Sequence, residues 1–460
     1  MSATYAVVGG GISGLVAAYR LRVTAGPDAT ITLFDPADRL GGVLRTERVG
    51  GQPLDVGAEA FVARRPEVPA LLAELGLADR QIGTTGARPL IYSQGRLHPM
   101  PQGTLQGIPS DASTLAGLVD EATIARIADE PMRPLRWRPG ADPTVADLVA
   151  DRFGEQVVSR SVDPLLGGVY AGSAATIGLR AAAPTLAAAL DRGARNLTEA
   201  VRDAMPPPAT GSVFGAVDGG YAVLLDALRH QAGIHWAQVG VERVDLVGLG
   251  VDIVDDEGNR RPADAVVLAV PAPRLPRLVE RMAPRTAAAA RRIPVASAAV
   301  VALALPGGTP LPQQSGVLVA TGEQRAREEH RRPVHAKAIT LSSRKWGRHG
   351  NVELLRLSYG RFGDDLARST GDDELLAWAA ADLGTVFGID AEPVDALVQR
   401  WIDAMPQYGP GHADLVAELR AGLPRGVAVA GGYLDGIGVP ACVASASRAV
   451  ASLATPGVAR

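Results

Sequence analysis

A glycine-rich turn near the start of the chain restricts the possible folds more than any other feature. Thr4–Val8 is short, apolar and β-branched, and it is followed by Gly9, Gly11 and Gly14 and by the segment LVAAYRLR. A buried strand, a G-x-G-x-x-G turn and a helix in this order predict the first β-α unit of a dinucleotide-binding sheet. The first glycine permits the tight turn, the second admits a pyrophosphate, and the third allows helix and strand to pack closely.

The residues around this turn complete a predicted phosphate and ribose site. Gly10, Ile12 and Ser13 occupy the turn and the first helical positions, where free N–H groups and the positive end of the helix dipole favour phosphate. A second apolar segment, ATITLF, includes the residues just before Asp35. That acid follows Gly14 at about the 20-residue spacing expected of a ribose-binding carboxylate. The predicted ligand is therefore a dinucleotide.

Composition narrows the class of protein. The chain of 460 residues is long for one core and predicts two or three domains, and its net charge of −3 disfavours nucleic-acid binding. A single cysteine, Cys442, excludes a disulfide framework within the chain. Neither a secretory leader nor an apolar run of membrane-spanning length is evident, so a cytoplasmic protein is expected. The charged segment 321–335 is expected to be a solvated, mobile loop.

Metal-dependent and covalent catalysis have no clear signature in the sequence. The histidines form no ligand cluster on one predicted element, and no G-x-S-x-G motif is present. We therefore expect neither a metal site nor a nucleophilic residue. The histidines are His98, His230, His235, His330, His335, His349 and His412.

Further segments resemble the flavin-binding fingerprints of the amine-oxidase superfamily. Arg39, Gly41 and Gly42 form an R-x-G-G motif, and LDVGAEAF contains a D-x-G-A motif. An NAD enzyme needs neither motif, so the resemblance implies FAD. The segment VAVAGGYLDGIGVPACVASASRAV resembles the closing strand and helix of the superfamily, whose helix N-terminus points at the flavin and favours its anionic reduced form.

The resemblance implies an α/β fold in which a Rossmann-type FAD-binding domain carries a sheet-based substrate domain and a helical insertion. The helices of the insertion are rich in alanine and leucine, and any membrane contact is expected there. The expected FAD-binding segments are 1–85, 210–272 and 424–460, the substrate-binding segments are 86–109 and 273–423, and the insertion is 110–209.

Nearly the whole chain resembles the oxygen-dependent protoporphyrinogen and coproporphyrinogen oxidases of haem synthesis, including their actinobacterial members. The segments that carry the resemblance are GGGISGL, RLGGVLRT, GAEAF, ARPLIY, VDPLLGGVYAGSAATIGLRAAAPTL, SSRKWG, WIDAMPQYGPGH and YLDGIGVPACV. It implies oxidation of coproporphyrinogen III to coproporphyrin III in three two-electron cycles, with oxygen as acceptor and peroxide as product. The flavin performs this chemistry, so no catalytic side chain is implied.

The same resemblance implies a set of cofactor contacts. The sequence departs from the amine-oxidase pattern at two places. Val43 stands where amine oxidases have an arginine after the glycine pair, and residues 436–441, near the end of the chain, read GIGVPA instead of the amine-oxidase motif. Asp35 is one methylene shorter than the glutamate usual in the family, and Trp401 also fits a role in core packing. The implied contacts are Gly9, Gly10, Gly11, Ile12, Ser13, Gly14, Asp35, Arg39, Gly42, Val43, Gly57, Ala58, Val241, Trp401, Ile437, Gly438 and Val439.

Two residues match family positions that approach the substrate. These are Arg88 and Gly168, and the guanidinium of Arg88 suits a propionate, although a surface arginine beside a hairpin is an equal alternative. Arg344 and Lys345 in SSRKWG are weaker candidates for the same role.

Alternative functions remain open at this point. They are protoporphyrinogen IX oxidation, flavin-dependent amine oxidation, and non-catalytic binding of a prenylated partner by an FAD-type fold. The complete phosphate-binding set disfavours the last. The expected partners are a porphyrinogen and oxygen, with no nucleic acid, possible peripheral contact with a membrane, and possible handover of product to the next enzyme of haem synthesis.

Overall fold

The computed structural model describes residues 2–207, 211–324, 332–347 and 350–454. Within these residues, five strands form an entirely parallel sheet, in which apolar side chains are buried on both faces. This arrangement is the one expected of a doubly wound α/β domain. The strands lie in the order His235–Ala237, Thr30–Phe34, Thr4–Val8, Ala265–Leu268 and Val427–Val429.

Helices cover one face of the five-stranded sheet. The first helix, Ile12–Ala25, packs between Tyr221–Ala232 and the closing helix, Val439–Ala454. Small residues such as Ala17 and Ala18 are fully buried on the first helix and allow its neighbours to approach closely. Glu67–Glu74 completes this layer.

The other face of the five-stranded sheet carries a mixed layer. Apolar residues of the strands, including Val266 and Leu268, share one cluster with Leu275, Leu278 and Leu419. The elements of this layer are the antiparallel strands Val241–Val247, Gly250–Asp255 and Arg260–Ala263 and the helices Leu275–Val279, Pro284–Arg291 and His412–Ala421. These three helices lie within the expected substrate segment 273–423, so packing crosses that expected boundary.

Seven strands of the described chain form a second, largely antiparallel sheet. One face of this sheet packs on the helix Asp372–Phe387. The other face packs on the hairpin Thr46–Val49 and Gln52–Asp55, through Ala302, Ala304 and Leu354. The strands lie in the order Asp395–Pro406, Val295–Pro306, Val352–Tyr359, Ala338–Thr340, Gly316–Val319, Leu90–Ser93 and Arg96–Pro99.

A helical region with its own apolar core lies at 110–207. A π-helical turn at Val158–Val162 leads into Asp163–Tyr170, which contains the predicted substrate residue Gly168 and is termed the substrate helix for that reason. Among the described residues, no helix is both long and apolar enough to cross a membrane. The other α-helices of the region are Glu121–Asp129, Val145–Phe153, Glu155–Val157, Leu179–Ala182, Pro184–Asp191 and Leu197–Ala204.

Short elements connect these units. The expected mobile loop at 321–335 falls partly outside the described residues, at 325–331. The remaining strands are Phe61–Val62, Gln81–Gly83, Thr104–Leu105, Ile108–Pro109 and Phe214–Val217. The remaining helical segments are Ala78–Arg80, Ala112–Leu115, Glu130–Met132, Ala272–Arg274, Ser342–Trp346 and Leu366–Ser369.

A buried ion pair organises the helical region. The Glu130 carboxylate lies 2.7 Å from the Arg152 guanidinium, and both side chains are almost fully buried. It also accepts hydrogen bonds from the backbone N–H groups of Leu197 (2.8 Å) and Thr198 (3.0 Å), at the start of a helix. Glu130 therefore neutralises a buried cation and caps a helix at once.

We expect Glu130→Ala to lower the free energy of unfolding by about 3–5 kcal/mol, because Arg152 would be left buried without a counter-charge. The shift of the urea unfolding midpoint measures this loss. Glu121→Ala, an exposed glutamate in the same region, serves as the control and is expected to change stability by at most about 0.5 kcal/mol. Equal midpoints for the two variants would contradict the prediction.

Candidate functional site

The glycine-rich turn has the geometry of a phosphate cradle. A Cβ atom on Gly14 would lie 1.8 Å from the carbonyl oxygen of Gly9, so helix and turn touch directly. A Cβ atom on Gly11 would meet only the Cα of Gly42, at 3.9 Å, and the backbone of Gly11 is extended (φ −71°, ψ 178°). The protein itself therefore does not require glycine at position 11. The space in front of Gly11, at the N-terminus of the first helix, fits a pyrophosphate group.

Asp35 lies at the end of its strand, beside this turn. Its carboxylate accepts hydrogen bonds from the backbone N–H of Gly10 (2.5 Å) and of Ala37 (2.9 Å). The backbone N–H of Asp35 donates to the carbonyl of Ala237 (3.2 Å), the last residue of the neighbouring strand; Val241 follows shortly after it in the chain and begins a strand of the three-stranded sheet. The short side chain thus reaches the turn, and its expected contact with a ribose stays a prediction.

The R-x-G-G segment lies against the phosphate cradle. The Gly41 N–H donates to the Gly10 carbonyl at 2.8 Å, and a Cβ atom on Gly42 would lie 3.1 Å from the Cα of Gly11. The Arg39 guanidinium donates to the carbonyls of Gly42 (2.7 Å) and Leu44 (3.1 Å). Arg39 therefore holds the segment in its folded shape, which is a role the sequence resemblance did not imply.

The D-x-G-A segment meets both Val43 and Trp401. A Cβ atom on Gly57 would lie 1.9 Å from the Val43 carbonyl oxygen and 3.2 Å from the Trp401 ring. The Trp401 indole donates to the Val56 carbonyl at 2.9 Å. Trp401 packs against this segment, so core packing and flavin contact are compatible roles. Ala58 follows Gly57 directly.

A buried charged cluster that no sequence motif indicated holds this segment in place. The Arg356 guanidinium donates to the Gly57 carbonyl at 2.7 Å. The Glu59 carboxylate binds the Lys345 ammonium at 2.8 Å and the Ser342 hydroxyl at 2.5 Å. Burial alone would raise the pKa of Glu59, but the charges of Lys345 and Arg356 outweigh burial and hold this pKa at about 2. Glu59 is therefore ionised throughout the physiological range.

The last predicted cofactor contacts lie at the start of the closing helix. Its first residue, Val439, packs in the same apolar cluster as Ile12 and Leu15 of the first helix. Gly438 accepts a hydrogen bond from the Cys442 N–H at 3.1 Å, and Ile437 precedes it. The N-termini of the first and closing helices are thereby brought to the same part of the molecule. Residues 431–438, which precede the closing helix, are termed the glycine loop.

The predicted substrate residues border one strand of the seven-stranded sheet. A Cβ atom on Gly168 would lie 3.5 Å from the Leu318 side chain, and the Arg88 carbonyl accepts from the Ser315 N–H at 3.3 Å. Both Gly168 and Arg88 are exposed. The Arg88 guanidinium makes no side-chain hydrogen bond or ion pair within the described residues.

The two weaker propionate candidates are already engaged. Arg344 lies 3.0 Å from the Glu353 carboxylate, and Lys345 lies 2.8 Å from that of Glu59. All four side chains are largely buried. These internal ion pairs disfavour a role for Arg344 and Lys345 in binding a substrate carboxylate, which leaves Arg88 as the candidate.

The substrate helix is held by residues to which the sequence assigned no role. The Asp163 carboxylate accepts from the Ala174 N–H at 2.7 Å and lies 3.5 Å from the Arg361 guanidinium. A Cβ atom on Gly167 would lie 2.6 Å from that guanidinium, so glycine is needed for this approach. No local pattern could have revealed these contacts, because Asp163 and Arg361 are far apart in the sequence.

Among the described residues, no group of three or more acidic, histidine or cysteine side chains is placed to bind a metal ion. His330 and His349 lie outside these residues. The chemistry that the arrangement supports is instead that of a bound flavin dinucleotide.

Comparison with known proteins agrees with this geometry. The family described as flavin containing amine oxidoreductase matches residues 12–454. A protein of Mycobacterium tuberculosis named coproporphyrinogen III oxidase is 68% identical over 98% of this chain and 97% of its own length. Its Mycobacterium leprae counterpart of the same name is 64% identical over 98% of each chain. A crystal structure of a proposed protoporphyrinogen oxidase from Exiguobacterium superposes with a TM-score of 0.85 at 28% identity, covering 98% of this chain and 99% of that one.

We expect Gly11→Val to abolish FAD binding without unfolding the protein. The valine methyl groups would occupy the open space in front of the first helix, where the pyrophosphate would lie, while the extended backbone accepts valine readily. Flavin absorbance and protein concentration of the purified protein give the occupancy, and circular dichroism checks the fold.

Gly371→Val is a matched control. Gly371 has nearly the same backbone (φ −68°, ψ 162°), also precedes a helix, and has open space around its Cβ position. It should retain FAD. Normal flavin occupancy in folded Gly11→Val would show that the cradle does not hold the pyrophosphate.

Proposed function

Since this chain belongs to the flavin-containing amine oxidoreductases, and within them to the family of the mycobacterial coproporphyrinogen III oxidases, we propose that it oxidises coproporphyrinogen III to coproporphyrin III. The chain is an FAD-dependent oxidoreductase. The observation that carries the substrate proposal is the identity of 68% along 98% of the chain with a protein of that name. The phosphate cradle in front of Gly11 supports it independently, because it fits the cofactor that the reaction needs.

The reaction requires a two-electron acceptor beside the macrocycle. When bound, FAD would take a hydride from a saturated bridge carbon in each of three cycles and return the electrons to oxygen as peroxide. One proton is lost with each hydride; two of the three protons come from pyrrole N–H groups and the third from the fourth bridge carbon. Six electrons and six hydrogens are therefore removed in total, four of the hydrogens from carbon and two from nitrogen.

The protein would contribute binding and orientation. The N-terminus of the first helix would hold the pyrophosphate, and Asp35 the adenosine ribose. Residues 57–58, backed by Trp401, would support the flavin ring, and the positive end of the closing helix would stabilise negative charge on the reduced ring. The substrate would lie against the seven-stranded sheet and the substrate helix, where Gly168 leaves room for the macrocycle.

Protoporphyrinogen IX is the second candidate substrate. This candidate is favoured by the structural similarity to a proposed protoporphyrinogen oxidase, which is 28% identical in sequence to this chain. The two substrates differ in charge, since coproporphyrinogen carries four propionates and protoporphyrinogen has vinyl groups in place of two of them. Amine oxidation and non-catalytic binding are supported by no further observation.

Anaerobic reduction of the bound flavin by each purified porphyrinogen tests the proposal. Coproporphyrinogen III should bleach the flavin, and readmission of oxygen should give three molecules of peroxide for each coproporphyrin III formed. An oxidised flavin that persists with both porphyrinogens would reject the proposed function, and reduction by putrescine would favour an amine oxidase.

We expect a higher kcat/KM for coproporphyrinogen III than for protoporphyrinogen IX, and a smaller preference in Arg88→Ala. Arg88 is exposed, so its ion pair with a propionate is worth about 0.2–1 kcal/mol, and a vinyl group would make no such pair. Arg96→Ala, an exposed arginine on the neighbouring strand, is the control. Equal kcat/KM values for the two substrates would reject the predicted preference. An unchanged preference in Arg88→Ala would reject only the role assigned to Arg88.

We propose that any membrane contact is peripheral and uses the loop at 130–140. Met132 is 84% exposed there, and Arg136 and Arg138 are exposed beside it. Apolar and basic side chains together favour an anionic lipid surface. Handover of product to the next enzyme of haem synthesis stays a prediction.

Sedimentation with vesicles containing phosphatidylglycerol measures this binding. The double variant Arg136→Glu, Arg138→Glu should bind less than the wild type, and the control Arg274→Glu, Arg281→Glu should bind equally well. Binding that is unaffected by the first pair, or absent in the wild type, would contradict the proposal.

A further inference from the structure

Residues 407–412, termed the bridge segment, contain three buried polar side chains that the proposed function has not yet used. Gln407, Tyr408 and His412 are each at most 6% exposed. The segment follows the strand Asp395–Pro406 and ends at the first residue of the helix His412–Ala421. Buried polar groups are costly unless they are hydrogen-bonded, so the partners of these side chains indicate what the segment does.

On one side the bridge segment contacts the substrate helix and the chain that follows it. The Gln407 side-chain amide donates to the carbonyl of Tyr170, the last residue of the substrate helix, at 2.8 Å. The rings of Tyr170 and Tyr408 lie 5.8 Å apart. The Gly178 N–H donates to the Tyr408 carbonyl at 2.8 Å. Movement of the substrate helix would therefore disturb Gln407 and Tyr408.

On the other side the same segment contacts the glycine loop. The Tyr408 hydroxyl donates to the carbonyl of Gly432. The His412 Nε2 lies 3.0 Å from the Tyr433 carbonyl and 3.2 Å from the Leu434 carbonyl, so it carries a proton and donates to them. The Tyr408 and His412 rings stack, with centroids 4.1 Å apart and planes 9° from parallel.

The helix that begins at His412 holds the glycine loop at a second point. Arg420 of this helix binds the Asp435 carboxylate at 2.9 Å, and Arg448 of the closing helix binds the same carboxylate. Three consecutive carbonyls and one carboxylate of the loop thus have partners outside it. The loop ends with Ile437 and Gly438, the predicted flavin contacts.

We propose that Tyr408 and His412 are positioning residues that fix the distance between the porphyrinogen and the flavin, by joining the substrate helix to the glycine loop. The inference rests on the proposed function, because it assigns the two joined elements to substrate and cofactor. Hydride transfer is sensitive to this distance, and a misplacement of 1 Å can lower a rate by about 100-fold. Neither residue needs to touch the reacting atoms.

Tyr408→Phe is the sharpest test, because it removes one oxygen atom and keeps the stacked ring. We expect this variant to fold and retain FAD, to show an altered circular dichroism band of the flavin, and to reduce its flavin about tenfold more slowly at saturating coproporphyrinogen III. The KM should change little, because the substrate surface is intact. Tyr221→Phe is the matched control, since the Tyr221 hydroxyl is buried and has no hydrogen-bond partner among the described residues. The control should match the wild type in each measurement.

Variants of His412 extend the test. His412→Gln keeps an N–H donor and should retain more of the reduction rate and of the wild-type flavin band than His412→Leu, which has no donor. Equal losses in these two variants would overturn the role assigned to the hydrogen bonds. If His412→Leu does not fold, the Tyr408→Phe variant alone tests the positioning role.

The outcomes separate the positioning role from the proposed function. A Tyr408→Phe protein with a wild-type flavin band or a wild-type reduction rate overturns the inference, as does loss of FAD from the folded variant. If coproporphyrinogen III fails to reduce the wild-type flavin, the proposed function is wrong. The flavin band of Tyr408→Phe then decides whether the bridge segment still sets the environment of the flavin.

Discussion

The buried charges of Glu59, Lys345 and Arg356 connect the seven-stranded sheet to the segment beside the phosphate cradle, and the rest of the candidate site depends on that connection. Arg356 and Lys345 belong to the part of the chain that builds the seven-stranded sheet, whereas Glu59 and Gly57 belong to the segment that adjoins the phosphate cradle. Buried ion pairs gain little net stability, because both partners lose their hydration. Their geometry is nevertheless restrictive, since a displaced carboxylate would leave two largely buried cations without a counter-charge. We therefore interpret this cluster as fixing the position of the seven-stranded sheet relative to the segment beside the phosphate cradle.

How much of this could be read from the sequence depends on the range of the interactions. The first β-α unit is local, and the strand, glycine turn, first helix and Asp35 lie where their order predicts. The partners of Glu59 lie far away along the chain, and no periodicity or motif links them. The motifs GAEAF and SSRKWG each contain one partner of the Glu59–Lys345 pair, but only the fold shows that they meet.

Asp55 shows how a motif can carry a role different from the one it suggests. The D-x-G-A resemblance relates this segment to the flavin, yet the Asp55 carboxylate accepts from the Thr46 hydroxyl at 2.5 Å and from the Tyr221 N–H at 3.1 Å. It therefore caps the helix Tyr221–Ala232. Burial, reinforced by the charge of Glu59, raises the pKa of Asp55 to about 6 despite these hydrogen bonds. The acid of the motif stabilises the fold, and only the glycine and alanine that follow are left to approach the cofactor.

Glu59, Asp35 and His412 share one property: each uses its polar side-chain atoms in contacts that hold the fold around the candidate site. Glu59 is held ionised by two cations, and Asp35 is bound by two backbone N–H groups. Burial lowers the pKa of His412, whose Nε2 proton is shared between two carbonyls. A general base must be free to change its protonation state, whereas protonation of Glu59 would break its ion pairs with Lys345 and Arg356. The hydrogen bonds of Asp35 and His412 hold the neighbouring backbone in place. They are suited to holding geometry, which is what a reaction performed by a flavin requires of its protein.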